Sequence, residues 1–287
     1  MLRLYKYMSQ DVALKFISNP VLRVTPRWAL NDPFECKLAN TTNEQLNSLN
    51  GSDDLNIHFE SFMGLHGIVS LSETPDNLLM WSHYAQEHKG AVVEFFIDET
   101  DPLSIFNISK CPISSDAKLG KVNYRKRRNY PFNVDAESLE PIRTHYYLTK
   151  SDEWIYEKEH RFIIPATEAN YMKSEKCSKY NYDENGLALI GSSLGASEQL
   201  QLWKDSKETG AMFFASVNPK KIGRFIIGCD ADLELYKTAM IEAEHSYPYR
   251  SFADSISNKF RGVEISKLHS ERFELFFEPL NTEIHSI

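Results

Sequence analysis

The apolar residues of this chain come in short stretches, and their periodicity changes from one stretch to the next. The longest uninterrupted apolar run, Ala211-Met212-Phe213-Phe214-Ala215, is five residues, against the roughly 20 that a bilayer-spanning helix needs. No segment is therefore expected to cross a membrane. The core has to be assembled from many short elements, and 287 residues are enough for one large domain or two small ones.

Alternation, or enrichment in β-branched and aromatic residues, predicts strands over Arg3–Tyr7, Val21–Val24, Gly67–Ser72, Ala91–Phe96 and Lys121–Tyr124. Further strands are expected in the second half of Trp154–Pro165, over Ala211–Val217 and Lys221–Gly228, and as a terminal pair over Val263–Leu268 and Arg272–Glu278. Helical spacing predicts a helix capped by Ser9, with Val12, Ala13, Phe16 and Ile17 on one face, ended by Pro20. Two short helices broken at Gly51-Ser52-Asp53 are expected within residues 41–64. Others are expected from Asn77 to His88, where Gly90 stops the pattern, and near Ala136–Lys150 and Asp232–Glu244. Residues 166–210 hold few sustained apolar patterns and read as a loop-rich insertion. Strands and helices intermix without a strict βαβ period and without a clear linker, so the expectation is a single compact α+β domain over residues 1–287.

Composition leaves this class open and closes others. Hydrophobic residues at 42% and charged residues at 25% are ordinary for a soluble domain, which excludes wholesale disorder and collagen-like repeats. The first residues lack the apolar segment and cleavage site of a secretory signal, so the expected location is the cytoplasm. Cys36, Cys111, Cys177 and Cys229 are dispersed with no C-x-x-C pair, so reduced thiols are expected, not a zinc ribbon or a disulfide framework. The formal net charge of −8 makes the surface as a whole repel nucleic acid. Any such contact must use a local patch, and one candidate exists: Arg125-Lys126-Arg127-Arg128, flanked by Tyr124 and Tyr130. These cations could hold phosphates beside a stacked base, or form a solvated basic turn.

The densest chemistry lies in Glu157-Lys158-Glu159-His160-Arg161. In extended backbone, residues two apart share a face, so Glu157, Glu159 and Arg161 would point one way and Lys158 and His160 the other. Paired carboxylates of this kind can activate a nucleophile and stabilise an oxocarbenium-like centre. They can equally form a salt-bridge ladder neutralised by Arg161. Met80-Trp81-Ser82-His83-Tyr84, continuing to His88-Lys89-Gly90, offers Tyr84 and His88 on one helix face and His83 and Glu87 on the next. The pattern is not H-E-x-x-H and no metal site is expected from it. Tyr84 is a candidate platform for a planar ring, with core packing as the alternative for both Trp81 and Tyr84. Asn31-Asp32-Pro33-Phe34-Glu35 is a polar loop that can brace a pocket or donate to a ligand. Phosphate-loop, dinucleotide-binding and nucleophile-elbow glycine motifs are absent from the sequence.

Taken together, Leu4-Tyr5-Lys6-Tyr7, Asn31–Glu35, Gly67–Ser72, Met80–Tyr84 with His88–Gly90, and Trp154 with Tyr156–Arg161 closely resemble the bacterial domain of unknown function 2971 family. That resemblance implies no activity. A second resemblance is to ADP-ribosyltransferases, through the order Lys6, then Ser70 to Tyr84, then Glu159, with Lys6 where a His usually stands. It implies a small split sheet, mixed or antiparallel, and NAD as a substrate. It also implies Glu159 and Glu157 as catalytic residues, with Lys6, Asn31, Ser70, Tyr84 and Arg161 binding NAD. Such a protein would be a toxin or phage-defence effector, with a nucleic acid or a protein as acceptor and an antitoxin as a possible partner. Two alternatives stand beside it: a metal-dependent nuclease using the carboxylates and His83, and a binding or regulatory module without catalysis.

Overall fold

The computed structural model describes residues 1–50, 62–107, 117–135, 139–175, 180–191, 194–245 and 261–280. The expected helix break at Gly51-Ser52-Asp53, Cys111 and Cys177 lie outside these residues. The fold is mixed α+β, organised on a twelve-stranded mixed sheet.

Its centre is β1 (Leu2–Met8), packed antiparallel against β4 (Ala91–Ile97) along its whole length. Every residue of β4 is buried, which fits a strand covered on both faces. The helix α1 (Gln10–Ser18) follows β1 and buries Ala13, Phe16 and Ile17, with Phe16 edge-on to Phe95 at 6.1 Å. Val12, expected on that face, is 51% exposed.

The strand β3 (His66–Ser72) organises the rest. One edge pairs throughout with β8 (Glu159–Pro165), from His66↔Pro165 to Ser72↔Glu159. The other edge is divided: Gly67 and Ile68 pair with the end of β2 (Val21–Pro26), while Ser72 pairs with Tyr5 of β1. The sheet therefore parts on this edge. β1 leads to β4, β12 (Ile222–Ile227), β13 (Gly262–Leu268) and β14 (Leu275–Pro279), and β2 leads to β11 (Met212–Ser216), β9 (Tyr171–Lys173) and β10 (Ala188–Leu189). All these pairings are antiparallel except β12 with β13. β5 (Lys118–Lys121) extends β8, and a separate parallel pair joins β6 (Asn123–Arg125) to β7 (Thr149–Ser151).

Two expectations are corrected. Residues 166–210 are not simply loop: they carry β9, β10 and the helix α5 (Ala196–Thr209), so the sheet is larger than the small one expected. The fully buried residues of α5 are Gln199, Trp203 and Ser206, with Leu200 and Leu202 partly buried beside them, so polar residues interrupt its apolar stripe. The helix expected from Asn77 to His88 is shorter, α3 (Leu78–Tyr84), capped by the Asn77 side chain accepting from the Met80 amide at 3.1 Å. After Ala85, the residues Gln86, Glu87 and His88 all take positive φ, of 50°, 53° and 67°, which no right-handed helix accommodates. Among the described residues the remaining α-helices are α2 (Asn40–Asn50), α4 (Leu139–Tyr147) and α6 (Leu233–His245).

This left-handed segment is held against the sheet by glycines. A Cβ on Gly90 would lie 2.0 Å from the Met8 carbonyl oxygen, and one on Gly228 would lie 1.8 Å from that of His88. Both obstacles are backbone and cannot rotate away. Gly90→Ala is expected to destabilise the fold by more than about 2 kcal/mol, since strain of this kind belongs to the severe class of substitutions. Chemical denaturation checks it, and an unchanged midpoint would mean that the α3–β4 connection tolerates displacement.

Candidate functional site

Where β1 and β2 part, a cleft of about 540 Å³ opens, within the size range of small-molecule sites. Lys6 of β1, Arg23 of β2 and Ser70 of β3 all line it. The Ser70 carbonyl faces the divided edge, and the Lys6 ammonium donates to it at 2.8 Å, replacing the missing strand partner. Burial is the main influence on Lys6 and lowers its pKa to about 8; Glu159 opposes the shift and Arg23 adds to it. Arg23 has no carboxylate partner among the described residues, so its guanidinium is open to an anion.

Below the cleft lies a buried cluster of charges. Glu159, at the start of β8, meets Arg161 in a two-point pair, Nε to Oε1 at 2.8 Å and Nη2 to Oε2 at 2.9 Å. The same guanidinium bonds Glu35 and donates to the Tyr147 carbonyl at 2.8 Å. Lys150 contacts Glu157 at 2.6 Å, Glu35 at 3.2 Å and Glu159 at 3.5 Å, and its ammonium lies 4.9 Å from the centre of the Trp154 ring. The Tyr84 hydroxyl donates to Glu157 Oε1 at 2.6 Å.

These contacts set the charge states. Burial would raise the Glu159 carboxyl, but Arg161, Lys150 and a hydrogen bond from Ser70 outweigh it and hold the pKa at about 2. Glu157 goes the other way, because desolvation exceeds the help of Lys150 and Tyr84 and raises its pKa. For Lys150, burial is overcome by Glu159, Glu35 and Glu157, so the ammonium stays charged above its ordinary range. Burial, and then Glu157, raise the Tyr84 phenol, which keeps it a proton donor.

The two glutamates meet in this cluster by a route other than an extended strand. Glu157 ends a 3₁₀ turn (Asp152–Glu157), Lys158 takes a left-handed conformation at φ 45°, and β8 begins only at Glu159. The kink brings Glu157 and Glu159 to Lys150 together. It is pinned by the Ser72 hydroxyl donating to the Glu157 carbonyl at 2.7 Å and the Glu73 amide donating to that of Lys158 at 3.1 Å.

Lys6, Asn31, Ser70, Tyr84, Glu157, Glu159 and Arg161, all selected from the sequence, line the one cleft. Their availability differs. Arg161 is fully buried, and its guanidinium is held by Glu159, Glu35 and the Tyr147 carbonyl. The expected shared face of Tyr84 and His88 does not form, because the helix ends between them; His88 instead stacks on Trp81 at 5.8 Å, and Trp81 is core. Glu35, Lys150, Trp154 and Arg23 were not selected. The signal for Glu35 was present, since it closes the Asn31–Glu35 loop, whereas nothing in the sequence pairs Lys150 with Glu157.

The basic run lies next to the cleft. Arg125, Lys126 and Arg128 line a second cavity of about 310 Å³ that shares Asp32, Glu35 and Lys150 with the first, while Arg127 is exposed outside it. Its flanking tyrosines make contacts of their own. The Tyr124 hydroxyl accepts from the Glu159 amide at 2.8 Å, and Tyr130 packs edge-on to Phe132 and His145. Among the described residues no group of three or more His, Cys, Asp and Glu side chains is placed to hold a metal ion. The carboxylates suggested for nuclease chemistry are instead divided between Arg161 and Lys150. No described helix is long and apolar enough to cross a membrane.

A family model described as protein of unknown function (DUF2971) matches residues 80–162, a segment running from α3 into β8 that contains Tyr84, Lys150, Glu157, Glu159 and Arg161. The match supports the resemblance to that family and attaches no activity to it. No curated protein and no solved structure matches the chain.

The depressed Glu159 carboxyl has a measurable consequence. Its pKa of about 2 lies below the ordinary 4.5, so its stabilising contribution is complete above about pH 4.5 and is lost as pH falls toward 2. Glu159→Gln is expected to lower the melting temperature at pH 7, and the gap from the parent should narrow steadily between pH 5 and pH 3. A gap independent of pH would mean that the carboxylate charge is not what Arg161 requires.

Proposed function

We propose that the cleft binds NAD and that the chain is an ADP-ribosyltransferase. The observation that carries the reading is the convergence of Lys6, Ser70 and Glu159 from three strands at the point where the sheet parts. Lys6 bonds the Ser70 carbonyl, Ser70 and Glu159 line the same cleft, and Tyr84, also in its lining, bonds Glu157.

The chemistry of each group suits the reaction. Transfer breaks the bond between the nicotinamide nitrogen and the ribose anomeric carbon, the ring leaves with the electron pair, and an acceptor oxygen or nitrogen forms the new bond. Positive charge grows at the anomeric carbon on the way. A carboxylate fixed as an anion stabilises it without reorganising, and Arg161 keeps Glu159 in that state. Glu157, with its raised pKa, is suited to take the proton that the acceptor releases. Lys6 and Arg23 offer two cations to the pyrophosphate. The Tyr84 ring holds the nicotinamide in an attack-ready pose.

Release of nicotinamide from NAD by the purified chain, with protein and nucleic-acid acceptors present, tests the reading. Glu159→Gln, shown folded by circular dichroism at the assay temperature, is expected to lose about 10²–10³ in rate, as removal of a preorganised stabiliser does elsewhere. Tyr84→Ala is expected to raise KM for NAD several-fold through lost ring contact, while Tyr84→Phe chiefly lowers kcat by freeing Glu157. KM should also rise as pH passes about 8, where Lys6 loses its charge. No nicotinamide release with any acceptor would overturn the assignment.

A further inference from the structure

The second cavity has a composition of its own. Arg125, Lys126, Arg128 and Lys150 line it against only Asp32 and Glu35, in a chain whose net charge is −8. Its two acids are already engaged: Glu35 by Arg161 and Lys150, and Asp32 by the Phe34 amide, which donates to Oδ1 at 2.8 Å. The lining Thr149 is 7% exposed, and its Oγ1 has no hydrogen-bond partner among the described residues. A buried hydroxyl is seldom left unpaired without a ligand or water to meet it.

At the mouth stands Phe34, 64% exposed. The guanidinium of Arg128 lies 5.5 Å from the centre of its ring and donates to its carbonyl at 3.4 Å. A large aromatic ring held in solvent beside cations is the arrangement with which proteins stack an unpaired base while neutralising its phosphate.

We infer that this cavity is the acceptor site and that it takes single-stranded nucleic acid, with phosphates on Arg125, Lys126 and Arg128 and one base on Phe34. The shared wall explains how acceptor and NAD meet. Lys150 lines both spaces and contacts Glu157 at 2.6 Å, so a nucleotide passing from the cavity toward the cleft reaches the glutamate suited to take its proton. A duplex cannot use the platform, because its bases are stacked on one another. The role as acceptor rests on the NAD-consuming reading, but the binding can be measured without NAD.

The test is fluorescence anisotropy of the full-length chain with labelled 12-nucleotide RNA, the same sequence as single-stranded DNA, and the corresponding duplexes, over a salt series. At least one single strand is expected to bind more tightly than either duplex, and the comparison of RNA with DNA identifies the natural form. Phe34→Ala is expected to weaken single-strand binding about tenfold while leaving the salt slope unchanged. Arg125→Gln combined with Arg128→Gln is expected to flatten that slope by between one and two. Unaltered melting temperatures keep both variants interpretable. Absence of single-strand binding, equal binding of duplex, or indifference to Phe34→Ala would overturn the inference, as would transfer of label from NAD to protein alone. Nicotinamide release without strand binding would overturn only the acceptor site, and strand binding without nicotinamide release would overturn the NAD reading and with it the acceptor role, leaving the strand-binding site.

Discussion

The pairing of Arg161 with Glu159 is the interaction on which the rest depends. Both groups are buried, and ions of this kind persist out of water only when each is matched in charge and geometry. Removing one member of such a pair costs about 3–5 kcal/mol, because the other is left uncompensated. The match here extends further: Arg161 also binds Glu35 from the loop after β2, and Lys150 of β7 binds Glu35, Glu157 and Glu159. One ionic cluster thus ties the start of β8, the 3₁₀ turn before it, β7 and a distant loop into one rigid floor. The divided sheet makes that floor accessible. β3 gives one edge wholly to β8 and shares the other between β1 and β2, and the cleft lined by Glu35, Lys150, Glu157 and Glu159 opens beside that division.

The same architecture separates the two glutamates in charge state. Glu159 is surrounded by cations and stays ionised, whereas Glu157 sits where desolvation prevails. Environments that push two carboxyls apart in this way are how a site obtains a fixed negative charge and a proton acceptor from one residue type. The cavity beside the cleft, with its basic walls, shares Lys150 with it, and Lys150 contacts Glu157.

Much of this was legible in the sequence, for reasons that differ by element. The strands of the sheet centre are short, apolar and bounded by turn residues, so β1, β3, β4, β8 and β12 fall close to where periodicity places them. The acidic pair beside Arg161 was legible because its spacing brings three charged residues together at the entry to an apolar strand. Its geometry was not, since the left-handed Lys158 obeys no propensity and is fixed by Ser72 and Glu73 from β3 and its following turn. The end of α3 was misread for the same reason: three residues with positive φ are imposed by the close approach of Gly90 and Gly228 to neighbouring backbone. The helix α5 escaped because Gln199 and Ser206 interrupt its apolar stripe, and Lys150 escaped because its three partners are brought to it only by folding. Tyr124 shows the converse error. Beside four cations it reads as a stacking residue, yet its hydroxyl is used by the Glu159 amide, and the exposed ring that Arg128 meets is Phe34 on another loop.

The most direct test of the central claim uses NAD labelled in its adenylate half, incubated with the purified chain and separate pools of RNA, DNA and protein. Label is expected to appear on a macromolecule with one nicotinamide released for each group transferred. Label remaining entirely in intact NAD in every pool would contradict it.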